Sequence, residues 1–359
     1  CHEDGCVSLP TADRRRATGL PPVALVDMRE ERKAGNTGVF SHALRQLLGT
    51  TYAKGEQSII LLNRRGMATF TECRTCGQVV QCPRCDVPLV YHADVRIMRC
   101  HRCDYQARPR QTCAACGSHE VRAYGVGTER VEEEVRTLLP TARVLRWDAD
   151  SLSREGGHEN ILRRLEAHEV DVLVGTQMVS KGLDLPKVTA IGVVNGDQHL
   201  HLPDYRAAER TFQLLTQVAG RAGRRIPGRV IIQTTNPEHP ALAAARTHDY
   251  ETFARGELAE RERLGHPPFR KLARFVYRHK NDDRAREEAD RLAFALARAA
   301  YRDGYDDFMV IGPAPCFAAK IRHDYYWHVV ASGSDLTPIL RNFPIPYGWI
   351  VDVDPVSLL

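Results

Sequence analysis

Residues 171–186 read Asp171-Val-Leu-Val-Gly175-Thr176-Gln177-Met-Val-Ser-Lys181-Gly182-Leu-Asp184-Leu-Pro186. An unbroken apolar run enters a polar segment that carries a lysine and an aspartate. Such a run, with no alternation, fits a strand buried on both faces, as in a parallel sheet covered by helices. Polar groups at the C-terminal end of that strand stand where open α/β sheets bind ligands.

Working outward, further strand candidates fall at 23–26, 58–62, 121–124, 142–147, 188–194 and 229–234. Helical spacing of apolar residues recurs at 39–48, 129–139, 158–169 and 206–219. Strand and helix alternating at this rhythm predict a doubly wound α/β domain. Its two parts, 22–66 and 118–236, are separated by a cysteine-rich insertion at 67–117, and residues 1–21 read as a connector. Pro237 and Pro240 break the pattern, and one long polar helix is expected over 240–264. Beyond Pro267-Pro268 the order is strand 271–279, helix 283–301, strands 307–311 and 326–332, helix 335–341 and strand 349–353. That β-α-β-β-α-β order predicts a split-βαβ, ferredoxin-like α+β domain within 237–359.

The bulk properties agree with this layout. A chain of 359 residues can build two or three cores, and 43% hydrophobic with 26% charged residues is ordinary for a globular protein. No apolar run approaches the roughly 18–20 residues that cross a bilayer, so no membrane association is expected. No signal peptide is visible at the polar start Cys1-His2-Glu3-Asp4, and a cytoplasmic location is expected. The first residue is not Met, so the sequence is expected to be a piece of a longer one. A net charge of +5 permits nucleic-acid binding without requiring it.

Eight of the eleven cysteines form four C-x2-C pairs: Cys73/Cys76, Cys82/Cys85, Cys100/Cys103 and Cys113/Cys116. Each pair can set two sulfurs on one side of a tight knuckle, and two knuckles close a tetrahedral zinc site. The inner pairs are 14 residues apart, with Val87, Leu89 and Tyr91 alternating before Ile97-Met98, which reads as a β-hairpin with a knuckle at each end. Only five residues link Cys76 to Cys82, too tight for the first two pairs to share a metal comfortably. A nested arrangement is therefore expected. Cys82, Cys85, Cys100 and Cys103 hold one zinc, and Cys73, Cys76, Cys113 and Cys116 hold the other. Four thiolates leave no open position, so both zincs are expected to be structural. A dithiol redox centre is the rival reading, and four tandem pairs argue against it. Cys1, Cys6 and Cys316 lack partners at ligand spacing. Arginines crowd the module, among them Arg64, Arg65, Arg74, Arg84, Arg99 and Arg102. They suit a DNA-binding face, or equally an offset to the formal −2 charge of each zinc–tetrathiolate.

A second motif, Gln217-Val-Ala-Gly220-Arg221-Ala-Gly223-Arg224, ends the helix predicted at 206–219. Arginines three apart share a helical face, and two planar guanidinium forks suit an anionic oxygen cluster. A solvated basic helix end that complements the macrodipole is the competing reading.

Together these segments resemble motifs V and VI of superfamily 2 helicases. With Val26-Asp27-Met28-Arg29, Asn63-Arg64-Arg65-Gly66, the four cysteine pairs, Gly125-Val-Gly127-Thr128-Glu129-Arg130 and Val351-Asp352-Val353-Asp354-Pro355, nearly the whole chain is similar to the primosomal replication-restart helicase family. The resemblance implies a RecA-like second motor lobe with an inserted double zinc ribbon and a C-terminal domain. It implies a part of an ATP-dependent 3′-to-5′ DNA helicase that binds stalled forks and initiates primosome assembly. ATP and Mg2+ would be its substrate, and forked DNA, primosome proteins and single-stranded DNA-binding protein its partners. Arg221 and Arg224 would be arginine fingers reaching ATP, with Gln217 beside them. Gly175, Thr176, Gln177, Lys181, Gly182, Asp184 and Gly220 would couple nucleotide state to DNA contact.

The chain also departs from the family. It holds no G-x-x-x-x-G-K-[ST] segment and no Asp-Glu-x-His segment. Both belong to a first lobe that is expected to precede residue 1, so the isolated chain is expected to be inactive. Tyr325-Tyr326-Trp327 places tyrosine where the family usually has arginine. Two alternatives remain: a non-catalytic zinc-ribbon module that binds DNA or protein, and a catalytically dead paralogue that pairs with a separate first lobe.

Overall fold

The computed structural model describes residues 20–62, 69–85, 87–92, 95–123, 127–148, 151, 157–176, 185, 187–222 and 226–359. They divide into two compact units.

The first unit takes the described residues of 1–64, 126–196 and 212–249. It is built on a six-stranded sheet in the order β1 (Val23–Asp27), β11 (Arg229–Thr234), β10 (Val188–Val193), β2 (Gln57–Leu61), β9 (Val172–Gly175) and β8 (Val144–Trp147). Every pairing in it is parallel. β2, β9 and β10 are buried along their whole length, which explains their lack of polar alternation.

The helices of this unit are α1 (Met28–Lys33), α2 (His42–Ala53), α3 (Thr128–Leu138), α4 (His158–Glu166) and α6 (Pro240–Thr247). Ser41 starts α2 by accepting the Leu44 N–H at 3.2 Å. Leu44 and Leu48, one turn apart, then meet Val131 and Val135 of α3 in the core. Gly192 of β10 makes room for this packing, because a Cβ there would lie 2.6 Å from a Leu44 methyl. Gln233, in β11, is a fully buried polar side chain of this layer. Its Oε1 accepts the Ser41 N–H at 2.7 Å, and its Nε2 donates to the Val39 carbonyl at 2.9 Å.

The second unit takes the described residues of 65–125, 197–211 and 250–359. Sequence reasoning placed 197–211 with the parallel-sheet lobe; in the structure these residues pack with the cysteine module and the C-terminal region instead. Helix α5 (Ala207–Ala219) therefore begins in this unit and ends in the first.

The cysteine module forms an antiparallel sheet in the order β6 (Gln106–Ala107), β5 (Ile97–Arg99), β4 (Val90–His92), β3 (Thr69–Cys73), β7 (Val121–Ala123). β7 was expected among the parallel strands. It pairs with β3 instead, Cys73 opposite Val121, because three residues are too few to specify a sheet by periodicity.

The C-terminal region runs β12 (Lys271–His279), α8 (Asp282–Arg302), β13 (Met309–Ile321), β14 (Asp324–Gly333), α9 (Thr337–Asn342), β15 (Trp349–Val353). Its sheet order, β13-β14-β12-β15 and all antiparallel, is that of the split-βαβ pattern. α8 packs Ala285, Ala289, Leu292 and Leu296 against Phe275, Trp327 and Val329 on one face of that sheet. The long helix expected over 240–264 is two helices, α6 and α7 (Tyr250–Leu264). His248 ends α6 in the left-handed conformation, φ 57°. Neither glycine nor proline marks that break, so the residue pattern gave no warning of it.

The last residues leave β15 through Asp354, at φ 51°, and lie against the start of α5. Tyr205 Oη donates to the Pro355 carbonyl at 2.9 Å, and Arg210 Nη2 to the Val356 carbonyl at 2.8 Å. Ser357 Oγ donates to Asp204 at 2.5 Å.

Candidate metal centres and the motor segment

All four C-x2-C knuckles are built alike. The N–H of each first cysteine bonds the carbonyl five residues on: Cys73 to Gln78, Cys82 to Val87, Cys100 to Tyr105 and Cys113 to Ser118. In three of them the residue after the second cysteine folds back to the first cysteine's carbonyl, Gly77 to Cys73, Asp104 to Cys100 and Gly117 to Cys113. That turn needs positive φ, found at 77°, 57° and 71° respectively, which glycine adopts freely and aspartate tolerates. Asp86, the fourth such residue, lies outside the described residues.

The fold brings the knuckles together as a nested pair of clusters. Cys73, Cys76, Cys113 and Cys116 form one and Cys82, Cys85, Cys100 and Cys103 the other, with the four sulfurs of each all within 4.8 Å of one another. Sγ separations are 3.6 Å for Cys73–Cys116, 3.6 Å for Cys76–Cys113 and 3.7 Å for Cys82–Cys103. Four Zn–S bonds of about 2.3 Å at tetrahedral angles put sulfurs about 3.8 Å apart, so the donor set fits zinc. Burial, with neighbouring sulfurs adding to it, pushes Cys76 and Cys85 up to about 12. Burial drives Cys100 up as well. Cys113 is instead drawn down to about 7: burial opposes this, but the N–H groups of Cys116 and Ala115 outweigh it. Four crowded sulfurs do not ionise together unaided, and a dication resolves that conflict. Backbone N–H groups of Arg84 and Arg102 point at Cys82 and Cys100 sulfurs, at 3.5 and 3.4 Å. The two clusters are shaped for two zinc sites.

The clusters differ in surroundings. Leu89 and Met98 wall the inner one, and both are buried. The outer one carries the exposed Cys116. Cys316 is buried in β13 and belongs to neither cluster. Of the arginines, Arg99 pairs with Asp104 and lies over the Trp327 ring at 4.9 Å. Arg84 lies over the Tyr105 ring at 5.4 Å. Both are held by module or domain partners. Arg64 and Arg65 lie outside the described residues.

In the first of the two segments that resemble helicase motifs, Gly175 ends β9 and its carbonyl accepts the Leu62 N–H at 2.8 Å. Thr176 follows, half-buried, with its N–H 3.4 Å from the Trp147 carbonyl. Gln177, Lys181, Gly182 and Asp184 lie outside the described residues. In α5, Leu214, Leu215 and Val218 are buried while Gln217 is exposed. The helix ends through Gly220, exposed, and Arg221, half-buried, whose N–H bonds the Val218 carbonyl at 2.9 Å. Arg224 lies outside the described residues.

At the other end of α5 the structure shows a charge cluster that sequence reasoning missed. Glu209 accepts Arg206 at 2.7 Å and Arg261 of α7 at 2.8 Å, and Arg261 also binds Glu257 at 2.8 Å. Arg261 lies over the Tyr205 ring at 5.4 Å. Arg206–Glu209 and Glu257–Arg261 sit at local helical spacing, but the Glu209–Arg261 pair that joins them spans 52 residues, beyond any local pattern. Among the described residues no helix is long and apolar enough to cross a membrane.

Residues 82–108 match the PriA DNA helicase Cys-rich region domain, 127–225 the helicase conserved C-terminal domain and 262–356 the primosomal protein N C-terminal domain. The chain is 45% identical over 312 residues to the replication restart protein PriA of Bacillus subtilis, covering 87% of this chain and 38% of that one. For that of Synechocystis sp. the figures are 39% over 362 residues, 98% and 43%. For that of Treponema pallidum they are 41% over 356 residues, 96% and 53%. The chain thus spans roughly two fifths to half of the length of these relatives. Matches at this identity, carried by the same zinc ribbon, helicase lobe and C-terminal domain, mean that the chain belongs to the replication restart protein PriA family.

Proposed function

We propose that this chain is the second motor lobe, zinc module and C-terminal domain of an ATP-dependent 3′-to-5′ DNA helicase of replication restart. The observation that carries the reading is the parallel sheet whose β9 ends at Gly175 with Thr176 next, and helix α5, with Gln217 in its last turn and Gly220 and Arg221 just beyond it. In open α/β sheets the C-terminal ends of strands face ligand. In this reading Arg221 and Arg224 contact the charge that builds on the γ-phosphate, with Gln217 beside them. Gly175, Thr176, Gln177, Lys181, Gly182, Asp184 and Gly220 form the surface that couples nucleotide to DNA. The zincs are structural. The whole protein works in the cytoplasm on forked DNA, with single-stranded DNA-binding protein and primosome proteins as partners.

Phosphoryl transfer of this kind needs a phosphate cradle, a magnesium carboxylate and a transition-state cation. The 359 residues contain no Walker A segment. The isolated chain is therefore expected to bind DNA weakly, with steep salt dependence, and to hydrolyse no ATP. The test is steady-state ATPase with saturating forked DNA for the whole polypeptide that contains this chain. Arg224→Lys and Arg224→Ala should each cut kcat by at least about a hundredfold, within the range such arginines supply. Zinc content and nucleotide-free fork binding should stay near wild type. More than half of wild-type kcat in Arg224→Lys would return that arginine to a solvated helix end.

A further inference from the structure

The two cysteine clusters are not equivalent. In the inner knuckle Cys100-His101-Arg102-Cys103, His101 is buried, 4% exposed, and reaches out of the module. Its Nδ1 lies 3.0 Å from the Pro315 carbonyl in β13. A carbonyl only accepts, so Nδ1 carries the proton and Nε2 is free to accept from His92 Nε2 at 3.1 Å. The return contact comes from β14. Arg274 Nε donates to His328 Nδ1 at 3.1 Å, so His328 Nε2 bears the proton it gives to the His101 carbonyl at 3.3 Å.

The same knuckle is bracketed by Arg99 and Asp104, which pair with each other while Arg99 covers Trp327, 1% exposed. A cavity of about 240 Å³ adjoins the contact, lined by His101 and Arg102 on one side and Leu272, Ile311, His328 and Val330 on the other. The outer cluster packs instead with Val80 and Val121 of the module itself. The Thr75 and Ser118 hydroxyls, one from each outer knuckle, meet at 2.8 Å.

We infer that the inner metal site, and not the outer one, docks the cysteine module on the C-terminal sheet, through the reciprocal His101–Pro315 and His328–His101 hydrogen bonds. A metal at Cys82, Cys85, Cys100 and Cys103 fixes the backbone of 100–103, and the ring and carbonyl of His101 carry that constraint to β13 and β14. The inference rests on the reading that both clusters hold zinc.

The test compares Cys103→Ser, Cys116→Ser and His101→Ala in the 359-residue chain, by zinc content and by amide hydrogen exchange along β13 and β14. Each cysteine variant should lose one zinc of two. Cys103→Ser should speed exchange at Ala314, Cys316 and 327–330 by on the order of tenfold or more, as expected when two hydrogen bonds of ordinary net strength are lost. Cys116→Ser should leave those amides at wild-type rates. His101→Ala should keep both zincs and still speed them. Equal responses in the two cysteine variants would overturn the inference, and so would unchanged exchange in His101→Ala. If the wild-type chain holds fewer than two zincs, the metal reading fails, while the His101→Ala result still decides the docking contact.

Discussion

Replacing Glu209 by Gln should loosen the start of α5. The wild-type carboxylate, 21% exposed, holds two guanidinium groups, and Arg261 is 11% exposed. Burial alone would raise the Glu209 carboxyl, but Arg206 and Arg261 outweigh it and hold it at about 2, against an ordinary 4.5. That gap corresponds to about 3 kcal/mol of preference for the folded, charged form near neutrality. Glutamine keeps one hydrogen bond and loses the charge, so a loss of about 2–3 kcal/mol is expected, in line with breaking a partly buried ion pair. A folded-state value below the unfolded one gives stability that is present above about pH 4.5 and lost as pH falls through 2. The difference between wild type and Glu209→Gln in urea unfolding should therefore be largest at pH 7 and drop below half by about pH 3. Arg261→Gln should couple to it in a double-mutant cycle. A difference under about 1 kcal/mol at pH 7, the usual ceiling for surface pairs, would refute the reasoning. A difference that does not change with pH would refute it too.

Gln233→Leu should destabilise the parallel-sheet unit by about 2–5 kcal/mol, because the buried Ser41 N–H and Val39 carbonyl both lose their partner; denaturant titration of the variant measures this. Gly192→Ala should cost about 1–3 kcal/mol by overpacking against Leu44, and Leu44→Val in the same chain should recover part of it. Ser357→Ala with Tyr205→Phe removes two side-chain contacts to 354–359 and should raise proteolytic cleavage there while leaving zinc content unchanged.

Much of this architecture was legible in the residues because burial leaves a pattern. The mainly apolar runs at 58–62, 172–174 and 188–194, short and rich in β-branched residues, fit strands covered on both faces, and they lie side by side in the sheet. The β-α-β-β-α-β order of 271–353 carried a topology that the sheet order follows. The nested cysteine grouping could be argued from linker length alone, because five residues cannot easily bring Cys73/Cys76 and Cys82/Cys85 around one ion. Other features left no such trace. Arg261, which holds Glu209, and Pro315, which holds His101, lie 52 and 214 residues away, and a buried histidine between two cysteines looks no different from an exposed one. Residues 121–123 could not be assigned to a sheet, because three residues fit either.

The parallel register has a consequence for how this polypeptide emerges during synthesis. β1 finds its partner in β11, with Val23 opposite Val230, and β2 finds its partners in β9 and β10. More than a hundred further residues must be made before Ile59-Ile60-Leu61 can be paired at all. The cysteine module between them closes over about 50 residues, so it can mature while the first strands still wait. Non-local pairing of this kind is slow, and an apolar strand left waiting is open to association with other chains. Recombinant yield should therefore respond more to chaperone supply and growth temperature than to zinc in the medium. Metal limits only the module, whereas the delay belongs to the sheet.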